Sequence, residues 1–305
     1  MFADVREAIK TLPLRLTNVQ TTSLTNEIFV IRDDLLCFGL GTKIRKLKGF
    51  LSDSNPKRTT HILLWGSLHG NYLAAYSFLL PKFGFRIKIF AYARDLQFHS
   101  ANRILVERSS GSINYFSSRR ELLVALEKFK EESRQTNWQI LPEFGFHESA
   151  LLGLNLLWSD LEARIPKKKT LFLEIGSGLT FLSALAYYAE SDVTICAIAV
   201  GESRDSFAGQ MPPLQKKLGL SLQKFPSHFI LEPLFSKKFG KVSVEDLTLV
   251  RHIYQETGIL IEPVYGIKTW QYLLNSKALP NNLPKPWVYL HQGGQLNHLD
   301  LLISK

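Results

Sequence analysis

At 305 residues with 45% hydrophobic content, the chain can bury the cores of one large domain or of two ordinary ones, as a globular protein does. Its formal net charge of +10 favours acidic partners, yet no long basic run is interleaved with aromatics, which argues against a nucleic-acid groove. Two cysteines, Cys37 and Cys196, exclude a disulfide framework, and no apolar run approaches the roughly 18 residues of a membrane span. The opening stretch MFADVREAIKTLPLRL has acidic residues and no apolar leader, so the expected compartment is the reducing cytoplasm.

The first predicted element lies in FGLGTKIRKLKGFL, residues 38–51. Ile44, Leu47, Phe50 and Leu51 follow the spacing of one apolar helix face, which starts a helix near Thr42 as N-cap. Lys43, Arg45 and Lys46 then sit in a first turn, where the helix dipole disfavours each exposed cation by about 0.3–1 kcal/mol. Such a turn implies an anionic partner, or a lysine that is not a simple solvated ammonium ion. Arg45 and Lys48 read as a solvated basic face.

From residue 61 short apolar runs alternate with helical patterns. HILLWG, YLAAYSFLLPKFG and RIKIFAYA come first, followed by a helix around 98–109, SINYF, RELLVALEKFKEESR and QILPE. After a helix in ESALLGLNLLWSDLEARI come TLFLEIG, TFLSALAYYAE, VTICAIAV and helices to about residue 257. The alternation predicts an α/β fold with parallel sheets and right-handed crossovers, broken near LPEFGFHESALLG.

In such folds ligands bind where strands run into helices. One such junction is LLWGSLHGNYLAAY, with Gly66, Ser67, His69, Gly70 and Asn71 between strand and helix. In the other, LFLEIGSGLTFLSALAYY, Gly176, Ser177, Gly178, Leu179 and Thr180 precede a helix. Glycines there let amides approach an anion at a positive helix end, although a Gly-Ser-Gly stretch also serves as a plain tight turn. The loop lacks the Walker lysine and the full GxGxxG spacing, so a small phosphorylated cofactor suits it better than ATP or NAD.

These stretches together resemble the fold type II, tryptophan synthase β-like pyridoxal-phosphate enzymes, and among them the 1-aminocyclopropane-1-carboxylate (ACC) deaminase and D-cysteine desulfhydrase branch. The family's Gly-Asn-Lys-x-Arg-Lys-Leu is similar to Gly41-Thr42-Lys43-Ile44-Arg45-Lys46-Leu47, and its Gln-Ser-Asn-His to His69-Gly70-Asn71-Tyr72. Pro-Glu-Gly-Gly resembles Pro142-Glu143-Phe144-Gly145, and Gly-Ser-Gly-Gly-Thr resembles Gly176-Ser177-Gly178-Leu179-Thr180. Asp-Pro-Val-Tyr-x-Gly-Lys is matched by Glu262-Pro263-Val264-Tyr265-Gly266-Ile267-Lys268, and a later glycine pair by Gly293-Gly294.

The resemblance implies two parallel-sheet, three-layer domains: residues 1–50 and 150–305 as the large cofactor-binding domain, 51–149 as the small one. It implies pyridoxal 5'-phosphate bound covalently by Lys43, with Asn71 facing the ring oxygen and Gly176, Ser177, Gly178, Leu179 and Thr180 around the phosphate. Catalysis would fall to Lys43 and Tyr265, and contact with a small amino-acid substrate to His69, Gly70 and Tyr72. No metal, nucleic acid or membrane partner is implied, and the family's common state is a homodimer. The implied reaction is a lyase or deaminase step, nearest to D-cysteine desulfhydrase-like β-elimination giving an oxo acid and ammonia.

Three positions depart from the pattern. The family serine falls on Gly70, a family tyrosine on Phe239, and the residue facing the pyridine nitrogen on Gly266. A catalytically degenerate cofactor-binding protein with a regulatory role therefore stands as the alternative, and an α/β protein that binds a different anion as a third.

Overall fold

The computed structural model describes residues 9–21, 23–24, 27–53, 61–109, 112–134, 137–221, 224–235, 240 and 242–303. The elements run β1 (Leu16–Val19), β2 (Ile28–Arg32), α1 (Thr42–Asp53), β3 (His61–Ser67), α2 (Asn71–Leu79), β4 (Arg86–Tyr92), α3 (Ala101–Ser109), β5 (Ile113–Phe116), α4 (Arg119–Glu132) and β6 (Trp138–Ile140). They continue with α5 (Ser149–Glu162), β7 (Lys169–Ile175), α6 (Leu179–Tyr187), β8 (Val193–Ala199), α7 (Arg204–Lys217), β9 (His228–Leu231), α8 (Val244–Thr257), α9 (Gly266–Leu274), β10 (Trp287–His291) and α10 (Asn297–Ile303).

The chain forms two compact units, one of Met1–Leu12, Lys43–Gly153 and Leu296–Lys305, the other of Pro13–Thr42 and Leu154–Gln295. The boundary after Gly153 falls inside α5, which is why no linker is visible in the sequence. The residues from Lys43 to 50, and 296 onward, group with the 61–153 segment rather than with the larger half where the resemblance put them.

The first unit carries a four-stranded sheet ordered β5-β4-β3-β6, parallel throughout. The second carries six strands ordered β1-β2-β10-β7-β8-β9. Five of these are parallel neighbours, and β1 closes the edge antiparallel to β2. Strands β7 and β8 are buried at every position, as expected of parallel strands covered on both faces. Their apolar side chains join those of β2, β10, α8 and α9 in a core that holds Phe172, Ile198, Ile253, Trp270 and Tyr289. The α/β parallel-sheet expectation is met; the β1–β2 pair, outside the alternation that begins at residue 61, was not anticipated.

Within the first unit α1 meets the start of α5 backbone to backbone. A Cβ on Gly49 would lie 2.2 Å from the Ser149 carbonyl oxygen, and one on Gly153 only 1.8 Å from that of Arg45. No relaxation of side chains relieves such contacts, because the obstacle is main chain. Gly153→Ala is therefore expected to lower the thermal midpoint by several degrees, following the roughly 1–3 kcal/mol cost of overpacking. The control is Gly209→Ala in α7, where a Cβ meets nothing within 4 Å and helix propensity favours alanine. Scanning calorimetry that shows equal midpoints for the two variants would remove this contact as the reason for glycine.

Candidate functional site

In the first unit the cationic helix start is built differently from the sequence expectation. Lys43 is half-buried, but Arg45 is only 1% exposed and donates to the Leu12 carbonyl oxygen at 3.3 Å. Arg45 is thus a buried structural cation, not part of a solvated face. Lys48 is half-buried and donates to the Lys10 carbonyl oxygen at 2.6 Å. Lys46 is buried, with no ion pair or hydrogen bond to any described residue. Burial, and then the charge of Lys43, lowers its amine from 10.5 to about 7. The sequence reading placed Lys46 in the first turn without singling it out; its burial on the side away from Ile44 and Leu47 carried no periodic signal.

The loop from β3 into α2 lies in the same unit. Gly70 is the N-cap of α2 with extended backbone and supplies no side-chain cap. Asn71 is held by α3: the Asn102 carboxamide nitrogen is 2.9 Å from the Asn71 Oδ1, 3.0 Å from the His69 carbonyl oxygen and 3.3 Å from the Asn297 Oδ1. This leaves the Asn71 amide nitrogen available as a donor. His69 Nδ1 lies 2.8 Å from the Ser100 Oγ, and burial lowers the imidazole below its ordinary range. Tyr72 turns into the interior, its ring 4.7 Å from that of Tyr76. Its hydroxyl is buried and bonds to no described residue. Glu143, from the segment after β6, accepts from Tyr92 and Arg119, both at 2.9 Å, and so pins that segment.

In the second unit the glycine pairs have a packing reason. Thr42 donates through both its amide and its hydroxyl to the Gln292 carbonyl oxygen, so it does not act as the free N-cap expected. A Cβ on Gly41 would stand 1.9 Å from that oxygen, and one on Gly293 2.5 Å from the Gly41 Cα. The two loops touch main chain to main chain.

The loop after β7 leaves a group of backbone donors unfilled. Gly178 caps α6 with φ of +83°, over the Phe207 ring, and no side chain caps the helix. The amides of Ser177, Gly178, Leu179 and Thr180 hydrogen-bond to no described residue, so the donors of a nine-residue helix start converge unfilled. A Cβ on Gly176 would meet nothing within 4 Å, which leaves room above the loop. This donor set fits a phosphate group.

The geometry also selects the variant that tests it. Gly178→Asp would drive a Cβ to 2.4 Å from Phe207, mixing a clash with the charge, whereas Gly176→Asp adds only charge. Gly176→Asp is expected to weaken binding of a phosphorylated cofactor at least tenfold, about 1.4 kcal/mol, with its thermal midpoint held. Equal affinities by fluorescence titration would move the phosphate elsewhere.

Tyr265 precedes α9 in the same unit. The Glu262 carboxylate accepts from the amides of Val264 (2.9 Å), Tyr265 (2.5 Å) and Gly266 (3.1 Å), and so satisfies that helix start. Burial and then Glu262 raise the Tyr265 phenol, which stays neutral across the physiological range. Two buried groups missed in the sequence, Glu174 and Tyr289, lie in this unit as well. Phe239 lies outside the described residues. No helix among the described residues is long and apolar enough to cross a membrane.

No family model matches the chain. A protein from Pyrococcus horikoshii, provisionally named a 1-aminocyclopropane-1-carboxylate deaminase, is 24% identical over 280 residues, 88% of this chain and 84% of that one. The solved structure of an ACC deaminase homologue superposes with a TM-score of 0.80 at 19% identity, covering 100% of this chain and 99% of the other. That of a pyridoxal 5'-phosphate-dependent aspartate racemase does so with a TM-score of 0.64 at 10% identity, covering 96% and 95%. The chain therefore has the fold of these proteins along its whole length, as the order of its motifs implied.

Proposed function

We propose that the chain is a pyridoxal-phosphate-dependent lyase or deaminase acting on a small amino acid, with β-elimination of the D-cysteine desulfhydrase kind as its nearest reaction. The observation that carries this reading is Lys46, a buried amine with no partner among the described residues, three positions from Lys43 on one helix. An unpaired buried cation implies an anion that completes it. The unfilled amides of 177–180 are by themselves a donor set suited to a phosphate group, and one solved structure of the same fold is named as a pyridoxal 5'-phosphate-dependent racemase.

When bound, the cofactor supplies an electron sink for the bond broken at the substrate Cα. Lys43 would hold it covalently, and the Lys43 amine, when free, would move a proton at the substrate Cα. Asn71, held by Asn102, donates to the ring oxygen. Ser177, Gly178, Leu179 and Thr180 bind the phosphate, with Gly176 leaving room above them. Tyr265, His69, Gly70 and Tyr72 remain the positions proposed to face substrate, with Tyr72 contributing more to packing than to contact. Borohydride reduction of cofactor-saturated protein, followed by peptide mapping, should place the adduct on Lys43. A panel of amino acids assayed for oxo acid and ammonia then separates turnover from binding alone. Binding without turnover is the second reading, favoured by the missing side chains at Gly70 and Gly266.

Lys46 yields a further test with a defined sign. Its folded value of about 7 lies below the ordinary 10.5, so between these values the unfolded chain holds a proton that the folded chain has released. Stability of the cofactor-free protein thus rises with pH across that window, and the burial penalty is fully present below pH 7. Lys46→Met should raise the cofactor-free thermal midpoint by several degrees at pH 6.5 or so, the gain fading towards about pH 10, while cofactor affinity falls at least tenfold. A variant that loses stability at the lower pH and binds the cofactor normally would show that Lys46 answers no anion.

A further inference from the structure

The carboxamide that holds Asn71 can face it in only one sense. Asn102 of α3 is 1% exposed, and its nitrogen meets three oxygens: the Asn71 Oδ1 at 2.9 Å, the His69 carbonyl oxygen at 3.0 Å and the Asn297 Oδ1 at 3.3 Å. All four residues belong to the first unit. A side-chain amide can be turned end for end, so a pair of amides does not by itself say which one donates. The His69 carbonyl is main chain and can only accept. It therefore fixes the Asn102 nitrogen on this side, and that nitrogen in turn fixes the Asn71 oxygen against it.

The Asn71 carboxamide is left with its nitrogen turned away from Asn102. That nitrogen hydrogen-bonds to no described residue, and on the half-buried Asn71 it is not enclosed by protein. At Asn102 the opposite holds, for its own Oδ1 is buried without a hydrogen-bond partner among the described residues. An orphaned buried acceptor carries a desolvation cost, so this asparagine is a poor choice for stability alone. What it supplies is a pair of N–H donors aimed at His69 and Asn71, the two residues that flank Gly70.

We propose that Asn102 is a positioning residue which, by fixing Asn71 with its nitrogen outward, makes that contact a donor only and favours the ionised form of the cofactor's ring oxygen. The proposal rests on the cofactor reading above. An N–H donated to an oxyanion makes a charge-assisted bond, roughly twice as strong as one to a neutral hydroxyl. An Asn71 free to turn could offer its oxygen instead, and that end would accept from the hydroxyl form. Asn102, enclosed and with its N–H groups already engaged, acts on the ring only through Asn71.

A double-mutant cycle of Asn102→Leu and Asn71→Ala, read in protein loaded with pyridoxal phosphate, separates this role from plain packing. Leucine keeps the volume at 102 and removes the donor. Asn102→Leu should move the visible absorbance from the band of the ionised ring oxygen towards that of the hydroxyl form. The ratio of the two bands should change about tenfold, and cofactor affinity should fall by a similar factor. In the Asn71→Ala background the same change at 102 should add nothing to either readout. A role in packing alone would lower the thermal midpoint and leave the band ratio as it was. If Asn102→Leu does not fold, Asn102→Ser, which keeps one donor of shorter reach, takes its place with the same expected signs. A folded variant at 102 with the parent's band ratio and affinity, or with equal effects whether or not Asn71 is present, overturns the positioning role and leaves the cofactor reading intact. A parent protein that takes up no pyridoxal phosphate overturns both.

Discussion

Lys43→Ala should retain no borohydride-fixed cofactor and should lose at least a thousandfold in any oxo-acid-forming activity. Two proposed roles would disappear together: the covalent anchor, and the amine that moves a proton at the substrate Cα, for which a positioned acid-base group alone is worth about 10²–10⁴-fold. The fold should survive, since Lys43 is only half-buried and its charge depresses the neighbouring Lys46. Removing it relieves repulsion, so the cofactor-free variant should melt no lower than the parent. Lys43→Arg is the companion variant, because it keeps the charge and cannot form the bond. Peptide mapping of both decides the matter, and a reduced adduct on any other lysine would reassign the anchor.

Ring opening of 1-aminocyclopropane-1-carboxylate should run at least a hundredfold below β-elimination from cysteine, despite the names carried by relatives of similar sequence. That substrate lacks an ordinary Cα proton, so its opening leans on side chains that reach the ring carbons and on a strong electron sink. Gly70 offers no side chain, and position 266 is closed by the Tyr289 hydroxyl. Each missing acid-base group typically costs about 10²–10⁴-fold. Purified, cofactor-loaded protein should be assayed for 2-oxobutanoate from the cyclopropane and for pyruvate plus sulfide from D- and L-cysteine. Gly70→Ser adds information, because its Cβ would approach the Ser67 carbonyl oxygen at 3.1 Å without left-handed backbone, a contact a small shift absorbs. Robust 2-oxobutanoate from the unaltered protein would show that other side chains do this work.

Where neighbouring residues in sequence act together, the sequence was readable. The run TLFLEI followed by Gly176 and Ser177 announced a buried strand, a turn and a helix start, and the structure places β7, the loop and α6 there. The place of His69, Gly70 and Asn71 at the junction of β3 and α2 was legible for the same reason. Asn102, which orients Asn71, lies 31 residues away and was invisible. The helix pattern of Ile44, Leu47 and Phe50 reported one apolar face correctly, but periodicity cannot reveal a second covered face when cations occupy it. Arg45 was misread on that account, for its only advertised property was charge. The pairing of Gly266 with Tyr289 was hidden in the same way, since a glycine in a sequence looks like an omission and shows its reason only against what fills its space.

The helix that ends the described chain bears on the order in which the molecule can be made. Asp300 accepts from the Ala101 amide at 2.6 Å, and Asn297 reaches Asn102, so α10 closes the start of α3 from the far end of the sequence. During synthesis the residues from Lys43 to Gly153 emerge before Asn297 and Asp300, and their unit lacks these bonds until those two residues appear. The second unit must be threaded out in between. A nascent chain therefore exposes an unfinished first unit while residues 154–295 are being made, a period in which chaperone capture and aggregation compete with completion.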